Sequence, residues 1–406
     1  PRTTTGTVTI IATDPSQYPF KMDLTFTGYD GNSTLTDFPV LVDLHQGLTT
    51  STGESVNFSY GSFLSSTGGD LRFFGSTGRE LPYEIENWDV SGHSRVWVNV
   101  DSLEDNASMM MAAWGNPQDA NAPTYVYDGS TWANEFSGTW HFNDVVAGSF
   151  VDSSPSTNHA LGNGAAVDVS GRIGSAASFD GTTCADVPYI ATLNPDAFSV
   201  TAWAKRTTGT GYGTVISSRD EPQSGYIIYS ENGQYQFWTG GNGSWNQDPK
   251  QNHSNNVWHH VAVTFDGTTK RIYVDGEPGG TSTPNVSKNT VTNLRIGAGA
   301  NESPSGNYFW TGLIDEMSIS TATRSADWIK AAYDNQKAGS TFVNYGTTSG
   351  PRIITSPLTV TTTAAQAFDY NVTATGSPSA FAAFNLPGGL QFNSSTGNIS
   401  GAPVAS

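Results

Sequence analysis

Apolar residues in this chain recur every second position, in short runs, and almost nowhere at helical spacing. In Arg95-Val-Trp-Val-Asn-Val the residues Val96, Val98 and Val100 share one face of a strand, the pattern of a half-buried β element. Similar runs are Asp37-Phe-Pro-Val-Leu-Val-Asp-Leu, Asp70-Leu-Arg-Phe-Phe, Glu80-Leu-Pro-Tyr-Glu-Ile-Glu-Asn-Trp-Asp and Phe198-Ser-Val-Thr-Ala-Trp-Ala-Lys. Clusters of Gly, Asn, Asp and Pro separate them, which predicts all-β sandwiches. Phe265-Asp-Gly-Thr-Thr-Lys-Arg-Ile-Tyr-Val-Asp-Gly reads as a hairpin bounded by Asp-Gly turns. Ser325-Ala-Asp-Trp-Ile-Lys-Ala-Ala-Tyr predicts a short helix with Ser325 as its N-cap. Trp203 and Trp258 fall in apolar alternating runs and are expected in the core. The breaks divide the chain into a β-sandwich-like unit 17–131, a second β unit 132–338, a linker 339–351 and a C-terminal unit 352–406.

Composition narrows the class. A length of 406 residues suits two to four domains. With 36 acidic against 18 basic residues, the net charge of −18 repels nucleic acid and anionic membrane surfaces and favours divalent cations. Nucleic-acid binding is therefore not expected, and neither is direct membrane insertion, since no long apolar run occurs. The single cysteine, Cys184, excludes an internal disulfide and reads as a small buried hydrophobe. The chain opens at Pro1 without a signal peptide, so it reads as a processed piece or a fragment.

Several residue groups invite a chemical reading. Glu84 and Glu86 alternate on one strand face, but structurally paired carboxylates are the expectation. His259-His260 sits in a strand run, with one ring turned inward. Ser-His-Asp order, a phosphate-cradling glycine loop and zinc spacing are not evident. Tyr226, Trp238, Trp245 and Trp310 lie in the middle of the second unit. Phe237-Trp238-Thr-Gly-Gly-Asn-Gly-Ser-Trp245 reads as strand, loop and aromatic. Such rings, with Tyr212 and Tyr229 in the same stretch, can stack on sugars; Tyr226, Trp238, Trp245 and Trp310 are the candidate glycan-binding residues.

The landmarks Gly138-Thr-Trp-His-Phe-Asn-Asp, Ala177-Ser-Phe-Asp-Gly, Trp258-His-His-Val-Ala-Val-Thr-Phe-Asp-Gly and Gly312-Leu-Ile-Asp-Glu-Met-Ser-Ile resemble the laminin-G-like, concanavalin A-type jelly roll. That resemblance implies a calcium ion between the first strand, the Phe-Asp-Gly turn and the last strand. The matching positions are Asn143, Asp180, Asp315 and Glu316, with Asp144 nearby. Laminarinase-type hydrolases share the fold, but their E-x-D-x-x-E pattern is not found in this unit, so no enzyme is expected. The first unit resembles an uncharacterised domain that precedes laminin-G-like domains in secreted bacterial and archaeal proteins.

The C-terminal unit carries Ala374-Thr-Gly-Ser-Pro, Leu386-Pro-Gly-Gly-Leu-Gln-Phe and Thr396-Gly-Asn-Ile-Ser-Gly-Ala-Pro. These resemble the Ig-like repeats of large bacterial surface proteins. The last strand of that repeat type stands at the other end of the chain, as Gly6-Thr-Val-Thr-Ile-Ile-Ala-Thr. Residues 1–16 are therefore expected to complete the Ig-like domain of a neighbouring copy, with Val8, Ile10 and Ile11 as the inter-unit side chains. The expected protein is a structural repeat unit of an extracellular fibre or giant adhesin at the cell surface. Its partners are head-to-tail copies of itself and a polysaccharide or surface glycan. The alternative is a carbohydrate-binding accessory module of a secreted polysaccharide-degrading enzyme.

Overall fold

A computed structural model describes residues 14–168, 171–299, 308–350, 354, 356–357, 359–374 and 380–404. Val8, Ile10 and Ile11, and with them the expected donor strand, lie outside the described residues. Strand accounts for 43 % of the structure and helix for 8 %, in keeping with the all-β pattern of the sequence.

The first unit is a sandwich. One sheet has the order Asn344–Tyr345, Phe20–Thr25, Met109–Trp114, Arg72–Gly75, Glu80–Leu81. Facing it are Leu35–His45, His93–Leu103 and Tyr83–Asn87. Alternation fills the space between. Leu24, Phe73 and Trp114 come from the first sheet, and Val40, Val42, Val96 and Val98 from the second.

This sandwich is closed by chain from beyond the second unit. The segment 339–351 was expected as a linker. Instead Tyr345 pairs with Leu24, Asn344 with Thr25, and Ser349 bridges Lys21. The strand Phe20–Thr25 would otherwise present an unpaired edge. Phe342, 1 % exposed, and Val343 enter the first unit's core. So do Trp328, Ile329, Ala331 and Ala332 of the helix Ala326–Gln336. Ser325 caps that helix as predicted, its Oγ accepting from the Trp328 N–H at 3.1 Å. Trp328 meets Phe38 edge-on with ring centroids 4.9 Å apart. The expected boundary at 338 thus cuts through packing that both units share.

The second unit sets a ten-stranded sheet against an eight-stranded one. Their inner faces supply Phe198, Val200, Ile228, Phe237, Val263, Ile272 and Ile314, among others. The predicted hairpin is present, with Phe265 opposite Lys270 and Val261 opposite Val274. The chain turns again at Asp275-Gly276, both at positive φ (54° and 76°), so that Val274 pairs with Glu277. Two left-handed residues give the tight turn whose twist matches the strands.

The C-terminal unit contributes a three-stranded sheet, Phe368–Asn371, Asn398–Gly401 and Leu390–Asn393. Its alternation is clean. Phe368, Tyr370, Leu390 and Phe392 are half-buried, while Asp369, Asn371, Gln391 and Asn393 are exposed. Among the described residues 354–404 no aliphatic or aromatic side chain other than Pro403 is buried.

Candidate functional site

The outer side of the ten-stranded sheet carries an aromatic cluster. In the strand Gln234–Gly241, Tyr235 and Phe237 point into the core, so Gln236 and Trp238 point outward. Across the ladder Tyr229 stands opposite Gln236, and Ile227 opposite Trp238. Trp238 packs edge-on against Tyr229 at 5.2 Å and Tyr212 at 5.6 Å, and lies 6.3 Å from Trp245. Tyr308, 42 % exposed, adds a further ring 5.2 Å from Tyr212. Polar groups are interleaved. The Trp238 Nε1–H donates to Gln236 Oε1 at 2.8 Å, and the Gln236 amide donates to Glu231 at 3.1 Å. The Arg219 guanidinium lies 5.0 Å from the Trp245 ring centre.

Two of the four predicted glycan residues belong to this cluster and two do not. Tyr226 is 3 % exposed in the core between the sheets, its hydroxyl donating to the Leu193 carbonyl. Trp310 is fully buried, its indole N–H donating to the Leu313 carbonyl. Both sit on inward positions of the alternation, and no ligand reaches them there. Of the neighbouring rings, Tyr212 is half-buried and Tyr229 is 2 % exposed and backs the cluster, while Tyr308 is the partner the sequence left unassigned. Trp203 is buried, but beneath the helix and stacked on Tyr333 at 5.8 Å rather than between the sheets. Trp258 is only half-buried.

The residues expected to share a calcium do not converge. Asp180 is exposed and caps its own turn, accepting from the Thr182 N–H at 2.8 Å. It pairs in register with Thr311, whereas Ala177 pairs with Ile314. Asp180 and Asp315 are therefore about four residues apart along the ladder, roughly 13 Å at the rise of a strand. Both Asp315 oxygens are occupied by backbone N–H groups, of Arg172 at 2.7 Å, Ile173 at 3.0 Å and Glu316 at 2.9 Å. The Asn143 amide donates to the Glu86 carbonyl. A calcium ion needs six to eight oxygens in one shell, and this set does not supply them.

Glu316 instead joins a buried cluster between the two units. The strand Tyr83–Asn87 brings Glu84 and Glu86, Trp97 comes from nearby in the first unit, Trp132 stands at the junction of the units, and the second unit contributes His141 and Glu316. His141 Nδ1 is 2.8 Å from Glu316 Oε2 and 3.9 Å from Glu86 Oε2, while its Nε2 is 3.7 Å from Glu84 Oε2. Trp97 Nε1 donates to Glu86 at 2.8 Å and Trp132 Nε1 to Glu84 at 2.6 Å. Ser153 Oγ donates to Glu84 at 2.7 Å. Burial, with the neighbouring Glu316 charge, pushes the Glu86 carboxyl up to about 8. Burial also raises Glu316, against the pull of His141. His141 is held protonated well above its usual range because the Glu316 and Glu84 charges outweigh its burial. Glu84 stays low despite burial, through the His141 charge and the hydrogen bonds it accepts.

An open groove of about 820 Å³ runs between the first unit and residues 335–345. On its wall Asp43 is held by both Arg95 and His93, so this Asp-His group reads as a surface ion-pair network. His260 is buried beside Trp203, and His259 pairs with Asp275 at 2.7 Å. Cys184 is buried, and burial raises its thiol. No helix among the described residues is long and apolar enough to cross a membrane.

Comparisons with known families agree with this architecture. Residues 67–143 match the Domain of unknown function (DUF2341). Residues 179–330 match the concanavalin A-like lectin/glucanases superfamily. Residues 350–406 match the model described as "Putative Ig domain". No curated protein matches the chain. Similar solved structures include the receptor binding domain of botulinum neurotoxin C/D mosaic serotype, 16 % identical with a TM-score of 0.40, covering 50 % of this chain and 51 % of that one. The binding domain of Paraclostridial Mosquitocidal Protein 1 is 12 % identical with a TM-score of 0.41, over 49 % and 52 %. The chain spans about half the length of these structures. Concanavalin A-like and Ig-like domains are typical of extracellular, non-catalytic binding modules. In order along the chain stand a domain of unknown function, a concanavalin A-like domain and an Ig-like domain, a multi-domain β protein of the kind found outside the cell.

Proposed function

We propose that this chain is a non-catalytic glycan-binding module displayed outside the cell. The observation that carries this reading is the outward aromatic cluster of Tyr212, Trp238, Trp245 and Tyr308, backed by the buried ring of Tyr229. A pyranose presents an apolar face of C–H groups and a rim of hydroxyls. Half-exposed rings beside the partly exposed Glu231 offer complementary surfaces to both. Cleavage is not part of this reading. Hydrolysis of a glycosidic bond needs two carboxylates flanking an open cleft. Glu86 and Glu316 converge, but their side chains are 0 % and 4 % exposed. Affinity electrophoresis and glycan arrays test the proposal. Retention by at least one neutral polysaccharide, without release of reducing sugar, is expected. Turnover abolished by substituting one carboxylate would replace the proposal with a hydrolase.

We further infer that such modules are joined head to tail, on a different observation. The C-terminal sheet presents Phe368, Tyr370, Leu390, Phe392 and Ile399 half-buried, and none of them in a closed core. The segment 6–13 of a neighbouring copy has the alternation in sequence to cover that face. Burying two or three side chains there gives roughly 1.5–3 kcal/mol each. Val8→Asp combined with Ile10→Asp should abolish assembly of a tandem or mixed sample in sedimentation. Unchanged assembly would refute strand exchange.

A further inference from the structure

We propose that Glu86, His141 and Glu316 hold a divalent transition-metal ion between the first unit and the concanavalin A-like domain. The ligand atoms of these three residues lie within 4.8 Å of one another. Their side chains are 0 %, 3 % and 4 % exposed. The cluster is also incomplete as it stands. Glu86 Oε1, Glu316 Oε1 and His141 Nε2 are buried without a hydrogen-bond partner among the described residues. An unpartnered buried carboxylate oxygen is costly, and one such oxygen belongs to each of the two glutamates beside His141.

Charge points the same way. Glu84, Glu86 and Glu316 surround a single histidine, and their ion pairs run to His141 alone among the described residues. A buried excess of carboxylate needs a cation or protons to balance it. The backbone is bent to build this arrangement. Glu316 has φ +48° and Phe142, next to His141, has φ +61°, a left-handed region that is uncommon for non-glycine residues. The pairing register of the strand Thr311–Ser320 with Phe198–Arg206 shifts at this point. That shift lets the adjacent Asp315 and Glu316 both be buried.

The donor chemistry selects the metal class. Two carboxylates and an imidazole suit zinc or manganese, whereas calcium takes an all-oxygen shell. One imidazole nitrogen of His141 and one carboxylate oxygen each of Glu86 and Glu316 would be the ligands. Glu84 Oε2, 3.7 Å from His141 Nε2, would then be the outer carboxylate that orients the ring. A cavity of about 40 Å³ lined by Glu316, Trp97 and Trp132 has room for a water on the Glu316 side of the cluster. Such an ion would tie two units whose ligands are 55 and 230 residues apart in sequence.

The test uses the whole chain, produced in zinc-supplemented medium and dialysed. Elemental analysis and native mass spectrometry should find one zinc per chain, and a strong chelator should lower Tm, since an ion bound only by the folded state stabilises it. Glu84→Gln should weaken zinc binding about 10- to 100-fold. Glu86→Gln should remove it, while its melting curve matches that of the chelated parent, which separates lost metal from lost fold. Absence of bound zinc in the parent with a Tm indifferent to zinc, manganese and chelator would overturn the proposal and assign the charge balance to protons. A Tm shift with calcium alone would overturn it as well.

Discussion

The two outward faces of the concanavalin A-like sandwich begin with similar residues and end in different environments. On the eight-stranded sheet, Trp203 is 2 % exposed under the helix Ala326–Gln336, and Asp315 and Glu316 are buried against the first unit. On the ten-stranded sheet, Trp238 and Trp245 stay half-exposed and Tyr308 is 42 % exposed. Strand alternation turns a side chain outward, but it does not decide what covers it. On one face the cover comes from chain more than a hundred residues away, and outward residues become part of a joint. On the other the rings meet chiefly one another and are free to meet a ligand.

The covered face should be by far the more sensitive to truncation. Trp328→Ala removes a ring that packs on Phe38 and lies 4.0 Å from the Arg324 guanidinium. A loss of about 3–5 kcal/mol is expected in urea unfolding, the range for a large buried aromatic. A loss under about 1 kcal/mol would mean that the helix is not what joins the units.

The same face should be acid-sensitive. His260 is buried between Trp203, Tyr333 and the Asp275 side, and burial lowers its pKa to about 4, only partly offset by Asp275. The unfolded chain takes up this proton near pH 6.5. Between about 6.5 and 4, then, only the unfolded state binds it, and stability falls as the pH falls. The full window is worth on the order of 3 kcal/mol. Comparing the parent with His260→Gln at pH 7.5 and 4.5 isolates this term. Parallel pH slopes in the two proteins would show that the ring is not buried neutral.

The C-terminal sheet should respond least. With no fully buried aliphatic or aromatic side chain among its described residues, Phe392→Ala in the single chain should cost less than about 1 kcal/mol. Phe237→Ala in the sandwich core should cost about 3–5 kcal/mol. Equal costs would contradict the open face on which head-to-tail joining rests.

Much of this architecture was legible in the sequence, and the unread part has a physical cause. The hairpin at Phe265–Lys270, the Ser325 cap and the order of units follow from local turn chemistry and period-two runs. The closure of the first sandwich by Phe342 and Tyr345 was not readable, because a two-residue strand leaves no periodic signal. Tyr226 and Trp238 looked alike as aromatics in β runs. Only the phase relative to Ile228 and Phe237 separates core from surface, and that phase could have been applied. The Glu86, His141 and Glu316 cluster needs three contacts across up to 230 residues, which alternation cannot supply. The expected calcium set failed for a related reason, since register places Asp180 opposite Thr311 and away from Asp315.

The most direct test of the central claim is a titration of the parent and the Trp238→Ala/Trp245→Ala double variant with the retained polysaccharide, read by calorimetry beside each melting curve. The glycan-binding account predicts at least a tenfold loss of affinity, about 1.4 kcal/mol, with a stability loss of only about 1–2 kcal/mol. Undiminished binding by a folded double variant would contradict it.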